Sequence, residues 1–128
     1  MPNVTHIHGY LIVFFGAGMG GALRHAVNRL LPTTTAFPWS TLLVNISGSF
    51  TMGLIAGWFA HRSSGSGQML PLFLTTGILG GYTTFSAYSL DAVLLWERGQ
   101  PVQAALYAGG TVVLSLAGVF AGLALMRP

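Results

Sequence analysis

The sequence predicts an all-α integral membrane protein of four transmembrane helices, with a break in the third. The first observation is composition, because 52% of the 128 residues are hydrophobic and only 5% are charged, far from a typical soluble domain. The second is length, since four apolar segments each reach the roughly 20 residues that cross a bilayer as a helix. The third is a stretch rich in glycine and hydroxyl groups inside the third segment, which favours an interruption there.

The four segments account for nearly the whole chain. The expected spans are residues 9–31, 37–60, 69–95 and 101–126. Their connections are short, so one transmembrane domain over residues 1–128 is predicted, with no soluble domain. Any chemistry must then take place within or between helices, where the alternative to a protein partner is the lipid bilayer.

The few charges exclude one function and leave orientation open. Five arginines and two acidic residues cannot form the basic surface that nucleic-acid binding requires, so no nucleic-acid partner is expected. Arg62 and Arg127 lie on one side of the predicted bundle, and Arg24, Arg29 and Arg98 lie on the other. This balance predicts insertion both ways up, which permits an antiparallel dimer. The alternative is that so few charges do not decide topology at all.

Small residues recur at helical spacing in three of the spans. The pairs are Gly16 with Gly20, Gly53 with Gly57, and Gly118 with Gly122. Each pair lets a neighbouring helix approach closely. Packing within the chain and self-association of two chains both remain open, and the small size of the chain favours self-association, because one copy can hardly enclose a solute path.

Two stripes of uncharged polar side chains follow the second and fourth spans. The stripes are Thr41, Asn45 and Ser49, and then Tyr107, Thr111 and Ser115. Four-residue spacing places each stripe on one helix face. An unpaired amide in hydrocarbon would cost about 2 kcal/mol or more, so Asn45 needs partners. The stripes form either hydrogen bonds between helices or a path lined with hydrogen-bond donors.

The stretch from residue 80 to residue 84 predicts the break in the third span. Gly80 and Gly81 followed by Thr83 and Thr84 weaken a membrane helix, and the freed backbone groups must then be satisfied by protein or a cavity. Released carbonyls are ligands for cations such as sodium.

Two aromatic rings follow the predicted break. Phe85 and Tyr88 are three residues apart and share a helix face. The edge of an aromatic ring is electropositive, so rings presented edge-on can coordinate a small anion without a fixed positive charge. Core packing is the alternative for this pair.

The remaining charged residues suggest no buried proton carrier. Arg24 is costly near the membrane centre unless it reaches water or a partner, so it either extends to the interface or supplies positive potential at an anion vestibule. Asp91 and Glu97 are expected to stay solvated or to pair with Arg98 near the end of the third span.

Three motifs in order, "GAGMGGALRH", "STLLVNISGSFTMG" and "TTGILGGYTTFSAYSLD", resemble the Fluc (CrcB) fluoride channel family over essentially the whole chain. The resemblance implies a dual-topology antiparallel homodimer in the bacterial inner membrane. It also implies two pores along the subunit interface that export fluoride passively and selectively, protecting the cytoplasm from fluoride accumulation.

The resemblance further implies roles for individual residues. Backbone carbonyls of Gly80 and Thr83 from both subunits would hold a structural sodium ion at the interface. Asn45 would donate to fluoride, while Phe85 and the ring at Tyr88, from different subunits, would form an aromatic box. The other implied positions are Thr41, Ser86, Tyr107, Thr111 and Ser115 along the pore and Arg24 near its vestibule.

One departure from the family pattern affects the aromatic box. Ala87 and Tyr88 stand where the family usually has Thr-Phe. Tyrosine keeps the ring edge and adds a hydroxyl, so a site there either survives, gains a donor or is reoriented.

Two other functions compete with a fluoride channel. A small proton-coupled cation or multidrug transporter of four spans would need a membrane-embedded carboxylate, and the first three spans offer none centrally. A structural scaffold would explain the glycines and hydroxyls but not a helix break beside an aromatic pair. The fluoride channel is therefore the preferred interpretation.

Overall fold

The structure, a computed structural model, describes residues 4–31, 36–62 and 67–128. Within these ranges all regular structure is helical. The helices are α1 (Val4–Leu30), α2 (Trp39–Ala60), α3 (residues 69–82), α4 (Phe85–Glu97) and α5 (Pro101–Leu125). The predicted all-α class is confirmed, and α3 and α4 are the two halves of the broken third segment.

Three of the described helices are long and apolar enough to cross a membrane. The qualifying stretches are His6–Leu30, Trp39–Ala60 and Pro101–Leu125. The remaining segment, the third along the chain, consists of α3 and α4, each too short to span alone. This helix content is that of an integral membrane protein. Helix bounds do not locate the bilayer, so the limits of the four spans stay predictions.

Glycines bring α2 and α5 into backbone contact. A Cβ atom added to Gly53 would meet the carbonyl oxygen of Val119, and one added to Gly122 would lie 2.7 Å from the backbone nitrogen of Leu54. A Cβ atom on Gly118 would lie 3.3 Å from the nitrogen of Phe50. These glycines pack helices within the chain, so the intramolecular alternative is confirmed for them.

The glycines of α1 have the same role against α3. A Cβ atom on Gly16 would lie 2.8 Å from the Cα atom of Gly77, and one on Gly20 would lie 2.7 Å from the backbone nitrogen of Tyr82. From the opposite side, a Cβ atom on Gly81 would lie 2.8 Å from the Cα atom of Ala17. The two helices therefore touch through their backbones, as small-residue interfaces allow.

The middle of α3 is a π-helix over Phe73–Leu79. Its wider turns are visible at Gly80, whose N–H donates to the carbonyl of Thr75, five residues earlier. The Thr75 hydroxyl donates to the carbonyl of Pro71 at 2.7 Å. In an α-helix the backbone N–H of Thr75 would donate to that same oxygen, so the hydroxyl competes with it. No pattern in the sequence indicated this segment. Such segments are rare and frequently lie at functional sites.

The break falls on two threonines. Thr83 (φ −79°, ψ 159°) and Thr84 (φ −151°, ψ 119°) are extended, a conformation that suits β-branched side chains. Gly80 remains helical (φ −62°, ψ −37°), and Gly80–Tyr82 close α3. Gly80 and Gly81 were expected to belong to the break, but they lie in the helix before it. Gly81 is needed for contact with α1 rather than for backbone freedom.

Candidate functional site

A cavity of about 230 Å³ lies beside the break. It is lined by Asn45 and Ser49 of α2, Thr83 and Thr84 of the break, Phe85 and Tyr88 of α4, and Thr111, Val112 and Ser115 of α5. None of these lining residues carries a formal charge. The break therefore adjoins an uncharged cavity bordered by an amide, hydroxyls and rings, and both predicted polar stripes reach it.

The Asn45 side chain holds the extended backbone in place. Its Nδ2 donates to the carbonyl of Thr84 at 3.0 Å, and its Oδ1 accepts from the N–H of Thr84 at 2.8 Å. Asn45 is only 9% exposed, and its pairing satisfies both backbone groups of one buried residue. Hydrogen bonding between α2 and the break is thus confirmed. An amide nitrogen carries two hydrogens, so one N–H of Asn45 is not used by this bond.

The break deprives several carbonyls of their helical donors, and those of Gly80 and Thr83 are among them. In a continuous α-helix each carbonyl accepts from the N–H four residues later. The N–H of Thr84 would donate to Gly80 but donates to Asn45 Oδ1, and the N–H of Ala87 would donate to Thr83 but donates to Thr84 Oγ1 at 3.1 Å. These carbonyls are the two that the resemblance assigned to sodium.

The aromatic rings of the site lie together within one chain. The centroids of Phe85 and Tyr88 are 5.5 Å apart, and those of Tyr88 and Tyr107 are 5.4 Å apart. Phe85 is 78% exposed, whereas Tyr88 is partly buried. The Tyr88 hydroxyl donates to the carbonyl of Ala108 at 2.7 Å. Its donor hydrogen is thus used within the protein, and the hydroxyl fixes the ring against α5.

Two hydroxyls of residues that line the cavity have no partner in the described part of the chain. Thr111 is 4% exposed, and its Oγ1 atom and the Oγ atom of Ser115 are buried without a hydrogen bond to any described residue. Buried polar groups normally have partners, and leaving one unpaired costs about 1–3 kcal/mol. Both hydroxyls therefore keep unused hydrogen-bonding capacity in the wall of the cavity.

Four residues predicted from the sequence do not line this cavity: Thr41, Ser86, Tyr107 and Arg24. Thr41 lies one turn before Asn45, and Ser86 is exposed, with its hydroxyl 3.4 Å from that of Thr84. Tyr107 is fully buried, and Arg24 is partly buried on α1. Their roles along a pore and at its vestibule stay predictions.

The environment of Asp91 differs from the expectation. Asp91 was expected to be solvated or paired with Arg98, but it is partly buried and its Oδ2 accepts from the Tyr107 hydroxyl at 3.1 Å. The reason is the tight connection after α4, where Gly99 has a positive φ of 75° and returns α5 alongside α4. Arg98 lies in that turn and is exposed.

Sequence reasoning assigned no site role to two lining residues, the apolar Val112 and the polar Thr84. Thr84 caps α4, lines the cavity and is only 8% exposed. A threonine directly before a helical run is a preferred N-cap, and that signal could have identified it.

Comparison with known proteins agrees with these features. The family described as CrcB-like protein, Camphor Resistance (CrcB), matches residues 11–123, a range that includes every cavity-lining residue. The fluoride-specific ion channel FluC of Rhodopseudomonas palustris (strain BisB5) is 59% identical over 122 residues, covering 92% of this chain and 96% of the relative.

Further relatives match over similar lengths. The fluoride-specific ion channel FluC 2 of Nitrobacter hamburgensis is 58% identical over 120 residues, covering 92% of this chain and 96% of that protein. The fluoride-specific ion channel FluC of Methylobacterium nodulans is 56% identical over 118 residues, covering 91% and 94%. With nearly the whole chain matched by the family and by these relatives, the protein belongs to the CrcB-like family.

Proposed function

We propose that this protein is a fluoride-specific ion channel that carries fluoride out of the cytoplasm down its electrochemical gradient and so protects the cell from fluoride toxicity. The observation that carries the proposal is the pair of buried, unpartnered hydroxyls, Thr111 Oγ1 and Ser115 Oγ, in an uncharged cavity. The names of the relatives support fluoride as the ion.

The cavity offers donors suited to a small anion. Besides the two hydroxyls, the second N–H of Asn45 is available beside the break. The first backbone N–H groups of a helix have no partner within it, and at the start of α4 one of these belongs to the lining residue Phe85. Helix N-termini attract anions. Fluoride can thus exchange water for these donors.

The absence of charge among the lining residues favours rapid passage. A fixed positive charge would attract any anion and would hold it in a low-dielectric site. Amide, hydroxyl and ring-edge groups stabilise an anion more weakly, so it leaves again. Transport is therefore electrodiffusion, without coupling to protons or sodium and without covalent chemistry.

The functional unit in this proposal is an antiparallel, dual-topology homodimer in the bacterial inner membrane, with pores along the subunit interface. Phe85, at the cavity, is largely exposed in the single chain, and Gly80 is exposed as well. A second copy would cover this surface, and rings from the two copies would form the aromatic box. The organisms of the relatives, such as Nitrobacter hamburgensis, are bacteria.

A sodium ion fits the same arrangement as a structural cofactor. The carbonyls of Gly80 and Thr83 have lost their helical donors, and hard oxygen ligands suit such a cation. Two copies would contribute four carbonyls. The ion would supply positive charge and would stabilise the dimer interface.

Removal of sodium tests this part of the proposal. Exchange of all sodium for N-methylglucamine is expected to lower both fluoride flux and the fraction of dimer, because the carbonyls of Gly80 and Thr83 would then face each other without a counter-charge. Flux is measured in liposomes, and dimer content by size-exclusion chromatography. Unchanged flux and dimer content would remove sodium from the site.

The function itself is tested by fluoride efflux from liposomes that contain the purified protein, followed with a fluoride electrode. Efflux that requires a potassium ionophore is expected, because an uncoupled anion current must be balanced by a cation. Chloride efflux under the same conditions is expected to be undetectable. Absence of ionophore-dependent fluoride efflux would reject the channel.

Substitution of Thr111 by valine tests the unpartnered hydroxyl. Valine has nearly the same shape, so the flux is expected to fall about tenfold for one lost hydrogen bond to the anion. The thermal stability is expected to be unchanged or higher, because the hydroxyl has no hydrogen-bond partner among the described residues. Ser89→Ala is the control, since the Ser89 hydroxyl only bonds the carbonyl of Phe85. Full activity of Thr111→Val would remove this residue from the path.

Substitution of Tyr88 by phenylalanine tests whether the tyrosine hydroxyl serves the anion. The hydroxyl donates to Ala108, so the flux is expected to stay within about threefold of the parent, while the free energy of unfolding falls by about 1 kcal/mol. Efflux and thermal unfolding are measured on the same preparation. A much larger loss of flux at unchanged stability would mean that the hydroxyl contacts the ion.

The proton-coupled transporter is not favoured by the geometry. Asp91 is the one acidic residue in the broken segment with a buried partner, and it hydrogen bonds Tyr107 without lining the cavity. A proton-coupled exchanger would also move its substrate without the potassium ionophore.

A further inference from the structure

The acidic side chains of the chain lie in one half of the membrane bundle. The sequence has two, Asp91 and Glu97, and both lie on α4, which ends at the face where α5 begins. At the opposite face α2 and α5 end, and Arg62 and Arg127 each lie two residues beyond those ends. This second face therefore carries guanidinium groups and no aspartate or glutamate.

An apolar groove of about 300 Å³ reaches the same face. The residues that line it are all apolar, and they include Trp58 and Phe59 of α2, Leu70 and Leu74 of α3, and Met126 at the C-terminal end of α5. Three helices thus form its walls. A groove without polar side chains in a membrane protein suits a hydrocarbon chain.

A cation stands at the end of this groove. The guanidinium carbon of Arg62 lies 3.7 Å from the centroid of the Trp58 ring, a cation–π contact. Trp58 lines the groove, so the contact fixes the charge beside it. Arg127 directly follows Met126, another lining residue. The apolar groove and a fixed positive charge therefore lie side by side at a membrane surface.

We propose that this groove is a binding site for an acidic phospholipid, with an acyl chain along Trp58 and Met126 and the phosphate at Arg62 and Arg127. The site favours acidic over zwitterionic lipids because no carboxylate side chain of this face competes for the arginines, and the choline of a zwitterionic headgroup would be repelled by them. Each arginine near an anionic lipid surface raises the binding affinity about fivefold. The site lies away from the break and does not depend on the proposed transport.

Trp58 itself reports occupation of the groove. The chain has three tryptophans, Trp39, Trp58 and Trp96, so the double variant Trp39→Phe/Trp96→Phe leaves Trp58 alone. Its fluorescence is measured in phosphatidylcholine vesicles to which one of two lipids with brominated acyl chains is added at equal mole fraction. The two lipids are brominated phosphatidylglycerol and brominated phosphatidylcholine. Brominated phosphatidylglycerol is expected to quench the Trp58 fluorescence with an apparent affinity at least about fivefold higher than that of brominated phosphatidylcholine.

In the variant Arg62→Gln/Arg127→Gln, the two brominated lipids are expected to quench the Trp58 fluorescence equally. Arg29→Gln/Arg98→Gln, at the opposite face, is the matched control and is expected to keep the preference. If the single-tryptophan variant folds poorly, the difference in quenching between the parent protein and Trp58→Phe gives the same quantity. Equal quenching in the parent, or a preference that survives loss of both arginines, would overturn the proposal.

Discussion

Asn45→Asp is expected to reduce fluoride flux by about 100-fold or more. The aspartate would place a negative charge in the cavity and a carboxylate oxygen against the carbonyl of Thr84, where Nδ2 now donates at 3.0 Å. A charge at membrane depth costs about 3 kcal/mol, which corresponds to about 100-fold in an equilibrium. The same charge repels fluoride. Ionophore-dependent efflux from liposomes measures the loss.

Asn28→Asp provides the control for an added charge. Asn28 lies near the end of α1 and is exposed, so its aspartate variant is expected to conduct like the parent. Size-exclusion profiles of both variants separate loss of conduction from loss of folding. Retained flux in Asn45→Asp would remove this residue from the pore-lining set.

Gly20→Ala is expected to have the largest effect on stability. The added methyl group would collide with the carbonyl oxygen of Ile78 and lie 2.7 Å from the backbone nitrogen of Tyr82. Both contacts are with backbone, so no side chain can move aside. Overpacking of this kind costs about 3 kcal/mol, and it would displace α3 directly before the break. Thermal unfolding in detergent and the yield of monodisperse protein measure the effect.

Gly18→Ala gives a control on the same helix. A Cβ atom at Gly18 would meet no atom of the described residues within 4 Å, so its substitution is expected to change stability by less than about 0.5 kcal/mol. Wild-type behaviour of Gly20→Ala would mean that α1 and α3 are not in backbone contact.

Local patterns in the sequence predicted the helical class and the approximate position of the break. The four-residue spacing of Asn45 and Ser49, and of Thr111 and Ser115, also predicted two stripes that do meet at one cavity. These signals succeed because each depends on helical periodicity within a single segment.

The remaining features depend on contacts between distant segments. Asn45 pairs with Thr84, which lies 39 residues away, and no spacing rule connects them. Similarly, Tyr107 continues its stripe by periodicity, but the approach of α4 turns its hydroxyl to Asp91. A polar residue on a stripe can therefore face either the cavity or a neighbouring helix, and only packing decides which.

The π-helix in α3 was unpredictable for a related reason. It depends on competition between the Thr75 hydroxyl and a backbone N–H for one carbonyl, while Gly77 packs against α1. Threonine and glycine are common in membrane helices that remain regular. Their effect here arises only from their combination with the partner helix.

The make-up of the cavity wall determines how the site responds to acid. Its lining residues include no carboxylate, imidazole or amine, and amide and hydroxyl dipoles neither gain nor lose a proton over the range in which cells live. Acidification of the cytoplasm would neutralise a carboxylate in a channel wall and would charge a histidine. It leaves the wall described here unchanged, so the cavity presents the same neutral groups whether the cell is acidic or alkaline.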